Sequence, residues 1–515
     1  REGNLLTAGL ARPILSSAPG DRFTGPGHNG DVFTDADGRD WMFFHAHDAA
    51  LTNALDRPML LQELRWGADG WPCFEEGRPQ PLERRPKLGG TEADIQRVID
   101  ASAGGTAVVP PGVYDIGATV FVPSDTKLVL KGCRLRMRDG AVCPMFRNRT
   151  DARGDARNIV IDGGGTAVLD GGLPNGLDES TSGKDGRPHV SENLTLFFTG
   201  VDGFSVTGLT VRDQRWWALM FLECANGRIA DITFELTRHA QDSYAPWRNQ
   251  DGIDLRVGCH DIAIEDIRGE TGDDLIALTA LDSPWFERRW ARPGRDRAIR
   301  DIAIRRVRGR TNQCALIRLL SHFGQPIHHV TIEDVVEDSV PGRHNQSQMA
   351  VRIGDRLPAY YGDDARNAQR FGDIHDIRID GLATRALSAV HTDDGVRNLT
   401  VRNVRLFGDA GSVWTGGTFG LDIAPFIYLP AREGEVRRST LTPGKMEEWG
   451  VPRTDTVRLE NVLFDGVAVE AEPHNGEALF RFRRAELVNC RVRNCRASTG
   501  RKMCDGDPRG MLVWE

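Results

Sequence analysis

The stretch RNQDGIDLRVGCHDIAIEDIRGETGDDLIALTA, residues 248–280, decides how this chain is read. Asp251 stands in Asn-Gln-Asp-Gly, and Asp273 and Asp274 follow 22 and 23 residues later in Gly-Asp-Asp. Between them Ile262, Ile264 and Ile267 are set among polar residues, as in a strand with one buried face. The segments Ile253-Asp-Leu255 and Ile276-Ala-Leu278 fall into line when the acids do.

The same apolar–x–apolar unit returns along the chain. It is found at Ile159-Val-Ile161, Phe204-Ser-Val206, Ile262-Ala-Ile264, Ile302-Ala-Ile304, Val330-Thr-Ile332, Ile377-Arg-Ile379 and Leu399-Thr-Val401. Spacings of 22 residues (377 to 399) and 28 residues (302 to 330) are single repeats, whereas those of 40 (262 to 302) and 47 (330 to 377) imply insertions. Short strands at such a period are the mark of a solenoid. A leucine ladder with helical segments is absent, so the expected fold is all-β, a right-handed parallel β-helix. Its coils stack about 4.8 Å apart and bury their inward side chains against one another. On that fold, one-coil spacing sets Asp251 on the rung beside Asp273 and Asp274.

The β-helix is expected over residues 89–515. Thr91-Glu-Ala-Asp94 is a capping box, and Ile95, Val98 and Ile99 follow at helical spacing. A helix over 91–103 would plug the open end of the solenoid. Asp162-Gly-Gly-Gly-Thr166 lacks the lysine and following helix of a phosphate loop and reads as a coil turn. Asp202, Asp231, Asp261, Asp301 and Asp376 read as turn residues. Residues 1–82 differ, being rich in aromatics (Trp41, Phe43, Phe44, Trp66, Trp71, Phe74). Two hairpins are expected there, 32–47 about Asp37-Gly38 and 59–74 about Asp69-Gly70. Residues 83–88 read as a linker.

The 515 residues are 40% hydrophobic and 27% charged, fitting a globular protein with a real core. A net charge of −8 and a pI near 6.0 argue against nucleic acid or an anionic membrane as partner. No apolar run is long enough to span a bilayer. The nine cysteines are scattered without a CxxC pair, which disfavours a zinc ribbon. Cys490, Cys495 and Cys504 could form one disulfide, but free thiols fit the scatter better. No metal or cofactor is expected. Residue 1 is Arg rather than Met and no signal peptide is visible, so the chain is expected to be processed or part of a longer one. Secretion is the expected location, and the oligomeric state stays open.

Stacked carboxylates raise one another's pKa, which equips one of them to donate a proton. Hydrolysis of a glycosidic bond with inversion uses one protonated carboxyl and one carboxylate that activates water, roughly 6.5–9.5 Å apart. Adjacent rungs can supply that gap.

The residues also resemble a family. Asn249-Gln-Asp-Gly-Ile-Asp254 and Gly272-Asp-Asp274 are similar to the Asn-x-Asp-Gly and Asp-Asp motifs of family-28 glycoside hydrolases, the polygalacturonases and their relatives. The resemblance implies Asp273 as general acid, with Asp251 and Asp274 holding and activating the water. The family's Gly-His-Gly falls on Thr311-Asn-Gln-Cys-Ala-Leu-Ile-Arg318, so Gln313 or Cys314 takes the histidine's place and His322 is a candidate substitute. Its Arg-Ile-Lys falls on Arg352-Ile-Gly354, keeping the arginine and losing the lysine, for which Arg318 is a candidate replacement. Asn249, Gln313, Arg318, His322 and Arg352 are thus the expected polar contacts to substrate. Trp217 and Trp247, with Trp216, Tyr244, Trp285, Phe286 and Trp290, would stack on sugars or wall the groove, as would Tyr360 and Tyr361. Walls favour action at chain ends.

Residues 1–82 resemble the last blade of a five-bladed family-43 glycoside hydrolase propeller, through Gly25-Pro-Gly-His-Asn29, Asp37-Gly-Arg-Asp-Trp41, His45-Ala-His47, Arg65-Trp66 and Asp69-Gly-Trp71. The carboxylates of that family would lie in blades this sequence lacks. The expected function is hydrolysis of a plant cell-wall type polysaccharide or oligosaccharide. A calcium-dependent lyase or a fructan-cleaving transglycosylase on the same fold, and a non-catalytic carbohydrate-binding solenoid, are the alternatives.

Overall fold

The computed structural model describes residues 14–30, 32–35, 39–51, 57–80, 89–175, 177, 192–237, 249–282, 286–311, 314–339, 347, 349–354, 370–386, 388–392, 395–407, 420–421, 426–430, 436–440, 457–469, 478–482, 485–497, 502–506 and 509–515. Tyr244, Trp247, Trp285, Gln313, Tyr360 and Tyr361 lie outside these residues.

The apolar–x–apolar units stack in register. Ile159 pairs with Phe204, Phe204 with Gly227 and Gly227 with Ile262. The column continues through Ile302, Val330, Ile377 and Leu399 to Val462, always in parallel. Gly227 is small because Phe204 leans across it; a Cβ there would meet the Phe204 ring at 2.1 Å. These strands build a 16-stranded parallel sheet, and a second parallel sheet of nine strands lies across the coil from it. Their inward side chains form one continuous core from Ile95 and Ile99 to Val492. The result is a right-handed parallel β-helix, the hand expected of parallel crossovers.

The coil bends at two columns of left-handed backbone. Asn158, Gly203, Asn226, Asp261, Asp301, His329, Asp376, Asn398, Asn461 and Asn489 have φ between 52° and 76°. Gly208, Asp231, Asp266, Arg306, Asp334, Gly381, Asn403, Gly466 and Asn494 repeat this with φ from 52° to 77°. Gly, Asn and Asp tolerate that region best, which explains their return once per coil. The first column adds a side-chain ladder: Asn461 donates to Asn398 at 3.0 Å and Asn489 to Asn461 at 2.7 Å. Asp231, Asp261, Asp301 and Asp376 are turn residues of this kind. Asp202 instead precedes Gly203 and accepts from Asn226 at 2.6 Å.

Helix α1 (Glu92–Ala101) caps the first coil. The Thr91 N–H donates to the Asp94 carboxylate at 2.9 Å, and the buried Ile95 and Ile99 join the core. Residues 162–166 form a bulge between the pairs Asp162–Thr207 and Ala167–Leu209, with the Gly164 N–H on the Asp162 carboxylate at 3.0 Å. The 40-residue spacing holds helix α2 (Glu287–Trp290). Before the solenoid, five strands form an antiparallel sheet, pairing Phe33 with Trp41, Trp41 with Glu63 and Arg65 with Cys73. Among the described residues no cysteine is joined in a disulfide. No helix among the described residues is long and apolar enough to cross a membrane.

Candidate active site

Asp251 and Asp274 lead into neighbouring strands of the nine-stranded sheet, Ile253–Arg256 and Ile276–Ala280. Ile253 pairs with Ile276, so Asp251 stands beside Asp274. The Gly252 N–H donates to the Asp274 carbonyl at 2.9 Å, and the Gly272 N–H to the Gln250 carbonyl at 3.2 Å. Gln250 is pinned in turn by Gln214, whose amide donates to its carbonyl at 3.1 Å. The three acids therefore meet because backbone pairing leaves them no other register.

The next strand, Ala315–Ser321, pairs Ile276 with Ile317 and so sets Cys314 beside Asp273 and Ala315 beside Asp274. Carboxylate oxygens of Asp273 and Asp274 and the Cys314 sulfur lie within 4.8 Å of one another. Burial, then Asp273 and Asp274, push the Cys314 thiol well up, so it stands as a neutral S–H.

Ile253, Leu255, Ile276, Leu278, Ile317, Leu319, Val351 and Ile353 point into the core. Alternation turns the residues between them outward. Register therefore builds one outward column: Met220, Asp254, Ala277, Arg318, Arg352 and His391. Arg318 donates to Asp274 Oδ2 at 3.0 Å, while the Ala315 N–H donates to Oδ1 at 3.0 Å. Asp273 accepts the Asp274 N–H at 2.9 Å.

Asp251 and Asp254 are differently placed. Both are buried, and among the described residues Oδ1 of Asp251 and Oδ2 of Asp254 have no hydrogen-bond partner. Burial, reinforced by Asp254, Asp273 and Asp274, raises Asp251 well above the usual carboxylate range. Burial pushes Asp254 up to about 7, against the pull of Arg256. Arg256 is itself buried, 3.5 Å from Asp254 and 3.3 Å from Glu287 of α2, which is also buried. Asp254, Arg256, Glu287 and Ala277 were not among the residues singled out from the sequence. Asp254 and Ala277 lay inside the quoted segments, and Arg256 and Glu287 carried no periodic signal.

The expected substrate contacts divide. Arg318 and Arg352 are direct cross-strand neighbours beside the acids. Asn249 accepts from the Trp217 indole at 2.8 Å. Trp217 is 5% exposed, with the Arg256 guanidinium 4.2 Å from its ring centre and Phe286 against it edge-on, so it belongs to a wall. His322 is buried just past Ser321, seven strand residues beyond the acid rung, a distance of about 20 Å at strand rise. It stands apart from the carboxylates. Gln313 and Trp247 lie outside the described residues.

The outward face changes character at Asp254. Towards the N-terminus Phe197, Trp216, Trp217, Met220, Leu222, Val257 and Phe286 form an apolar cluster beneath α2. Towards the C-terminus the column is Ala277, Arg318, Arg352 and His391.

Residues 148–295, which hold both acid motifs, match the model of glycosyl hydrolases family 28. No curated protein matches the chain. A hyperthermoactive exopolygalacturonase from Thermotoga maritima is 14% identical, with a TM-score of 0.46, covering 84% of this chain and 92% of that one. A family 28 exopolygalacturonase of Yersinia enterocolitica is 13% identical, with a TM-score of 0.45, covering 93% and 83%. The A-module of a mannuronan C-5 epimerase from Azotobacter vinelandii is 10% identical, with a TM-score of 0.48, covering 82% and 95%. Residues 148–295, with both acid motifs, are thus similar to glycosyl hydrolases family 28 and are carried on a right-handed parallel β-helix.

Proposed function

We propose that the chain hydrolyses a plant cell-wall type polysaccharide or its oligosaccharides in the manner of a polygalacturonase, with inversion and from a chain end. The observation that carries this reading is the register that stacks Asp251 on Asp274 with Asp273 alongside. Asp273 gives its proton to the leaving oxygen as the glycosidic bond breaks. Water held by Asp251 and Asp274 attacks the anomeric carbon and loses a proton to a carboxylate. Arg352, on the rung beyond Arg318, gives that side of the acids a positive character suited to an anionic sugar. The apolar cluster beneath α2 closes the other side, which supports action at ends. The acids work outside the cell, and residues 1–82, joined through 83–88, form a separate unit without part in this chemistry.

The test is product analysis on a panel of polysaccharides, oligogalacturonides and aryl glycosides, with Asp273→Asn alongside. Wild type is expected to release short products with inverted anomeric configuration, and the variant to lose about 10³-fold or more in kcat. An unsaturated product absorbing near ultraviolet wavelengths would point to a lyase instead. Equal activity in Asp273→Asn would remove the catalytic reading.

A further inference from the structure

Two carboxylates, Asp251 and Asp274, compete for the role of base, and their surroundings are unequal. Asp274 receives the Arg318 guanidinium on one oxygen and the Ala315 N–H on the other, each at 3.0 Å. The pair is well enclosed, with side-chain exposures of 11% for Arg318 and 2% for Asp274. A charge-assisted bond in such a site favours the ionised carboxylate. Asp251 has one oxygen buried without a partner among the described residues, and it lies among Asp254, Asp273 and Asp274.

Ala277 lies beside Arg318 in the sheet. Register places Ala277 on the outward face one rung before Arg318 and directly after Asp254. Its methyl group is the smallest side chain of the outward column, between Asp254 and Arg318. Arg318 also has Arg352 as its neighbour on the next rung, so its turn towards Asp274 separates two like charges.

We propose that Arg318 is a positioning residue that fixes the Asp274 carboxylate through their 3.0 Å bond, making Asp274 rather than Asp251 the base that takes the proton from water. In this step the water O–H bond breaks, its proton goes to Asp274, and its oxygen bonds the anomeric carbon. The leaving oxygen carries away the proton of Asp273. The assignment rests on the hydrolytic reading above and divides its roles. The groups facing Asp274 are Asp251 and Asp254 on one rung, Asp273 beside it, and Cys314, Arg318 and Arg352 beyond.

The test uses pH–rate profiles of kcat/KM for the intact chain on its best panel substrate. The acid limb of that profile reports the base in the free enzyme. In Arg318→Met the acid limb is expected to move up by about 1–3 pH units, with at least tenfold loss at the wild-type acid midpoint. Arg318→Lys restores the charge and is expected to bring most of the limb back. Ala277→Leu obstructs the approach while leaving both partners in place, and it is expected to shift the limb in the same direction. An unmoved limb in Arg318→Met and Ala277→Leu, with only KM raised, overturns the proposal and makes Arg318 a substrate contact. Melting curves identify any variant that does not fold, and the others then decide. If wild type hydrolyses nothing on the panel, the hydrolytic reading falls and takes this one with it. If Asp273→Asn is dead and the limb stays, only the Arg318 assignment falls.

Discussion

Burial and neighbouring charge act together on Asp254, and the consequence is visible outside catalysis. Its carboxyl is fully enclosed and pushed up to about 7, against an ordinary value of 3.8. Between those values the folded chain holds a proton that the unfolded chain has released. Stability therefore falls as pH rises through that window, the reverse of an ordinary ion-paired aspartate. Asp254→Asn removes the group that titrates. The difference in Tm between variant and wild type is expected to move in the variant's favour between about pH 4 and pH 7. A pH-independent difference would place Asp254 in a setting where Arg256 fully offsets its burial. The sequence shows Asp254 only as part of a motif. What sets it apart is its cover, supplied by a helix more than 30 residues on in the chain, and no local pattern reports such a partner.

At the scale of the element, the repeat was legible because it obeys two periodic rules at once. Alternation marks the inward residues, so Ile262, Ile302, Val330, Ile377 and Leu399 could be aligned by eye, and they pair in the order expected. The bends return once per coil and demand left-handed backbone, so Asp261, Asp301 and Asp376 read correctly as turns. Helix α2 obeys neither rule. It is four residues long, and it is held by Arg256 and an aromatic cluster rather than by its own propensity. The place of His322 was also hidden, since distance along a strand matters as much as the rung. The bends give a direct test at Asp301, with φ of 56° and an exposed side chain. Asp301→Val puts a β-branched residue in that region and is expected to cost about 1–2 kcal/mol in urea unfolding. Asp301→Asn is expected to stay within about 0.5 kcal/mol, since Asn enters left-handed backbone readily. Equal costs for the two would locate the effect in the Arg300 contact instead.

Across the whole molecule, stacking identical rungs has a penalty as well as a benefit. A solenoid gains stability from each rung's contact with the next, so any outward column of like groups repeats its repulsion along the axis. One column runs His260, Arg300, His328, His375 and Arg397. The rings of His328 and His375 stack 4.8 Å apart and nearly parallel, and His329 lies edge-on to both. Asp261 and Asp376 accept from or face His260 and His375 at 2.6 Å, and Asp301 pairs with Arg300 at 2.7 Å. Those acids balance the outer histidines and the arginine. His328 keeps a lowered value, first through burial and then through His375 and His329. A lowered histidine binds fewer protons folded than unfolded, so stability is held above its ordinary value of 6.5 and lost as pH falls below it. The His328 share of Tm is therefore expected to decline as pH falls below about 6.5, against the rise that Asp254 contributes over the same window, and it is read as the difference between wild type and His328→Gln. His328→Gln removes the titrating ring from the middle of the column and is expected to flatten that decline while changing Tm little at pH 8. A decline of the same steepness in the variant would move the acid sensitivity elsewhere, to carboxylates that hold the charge ladders of the other faces.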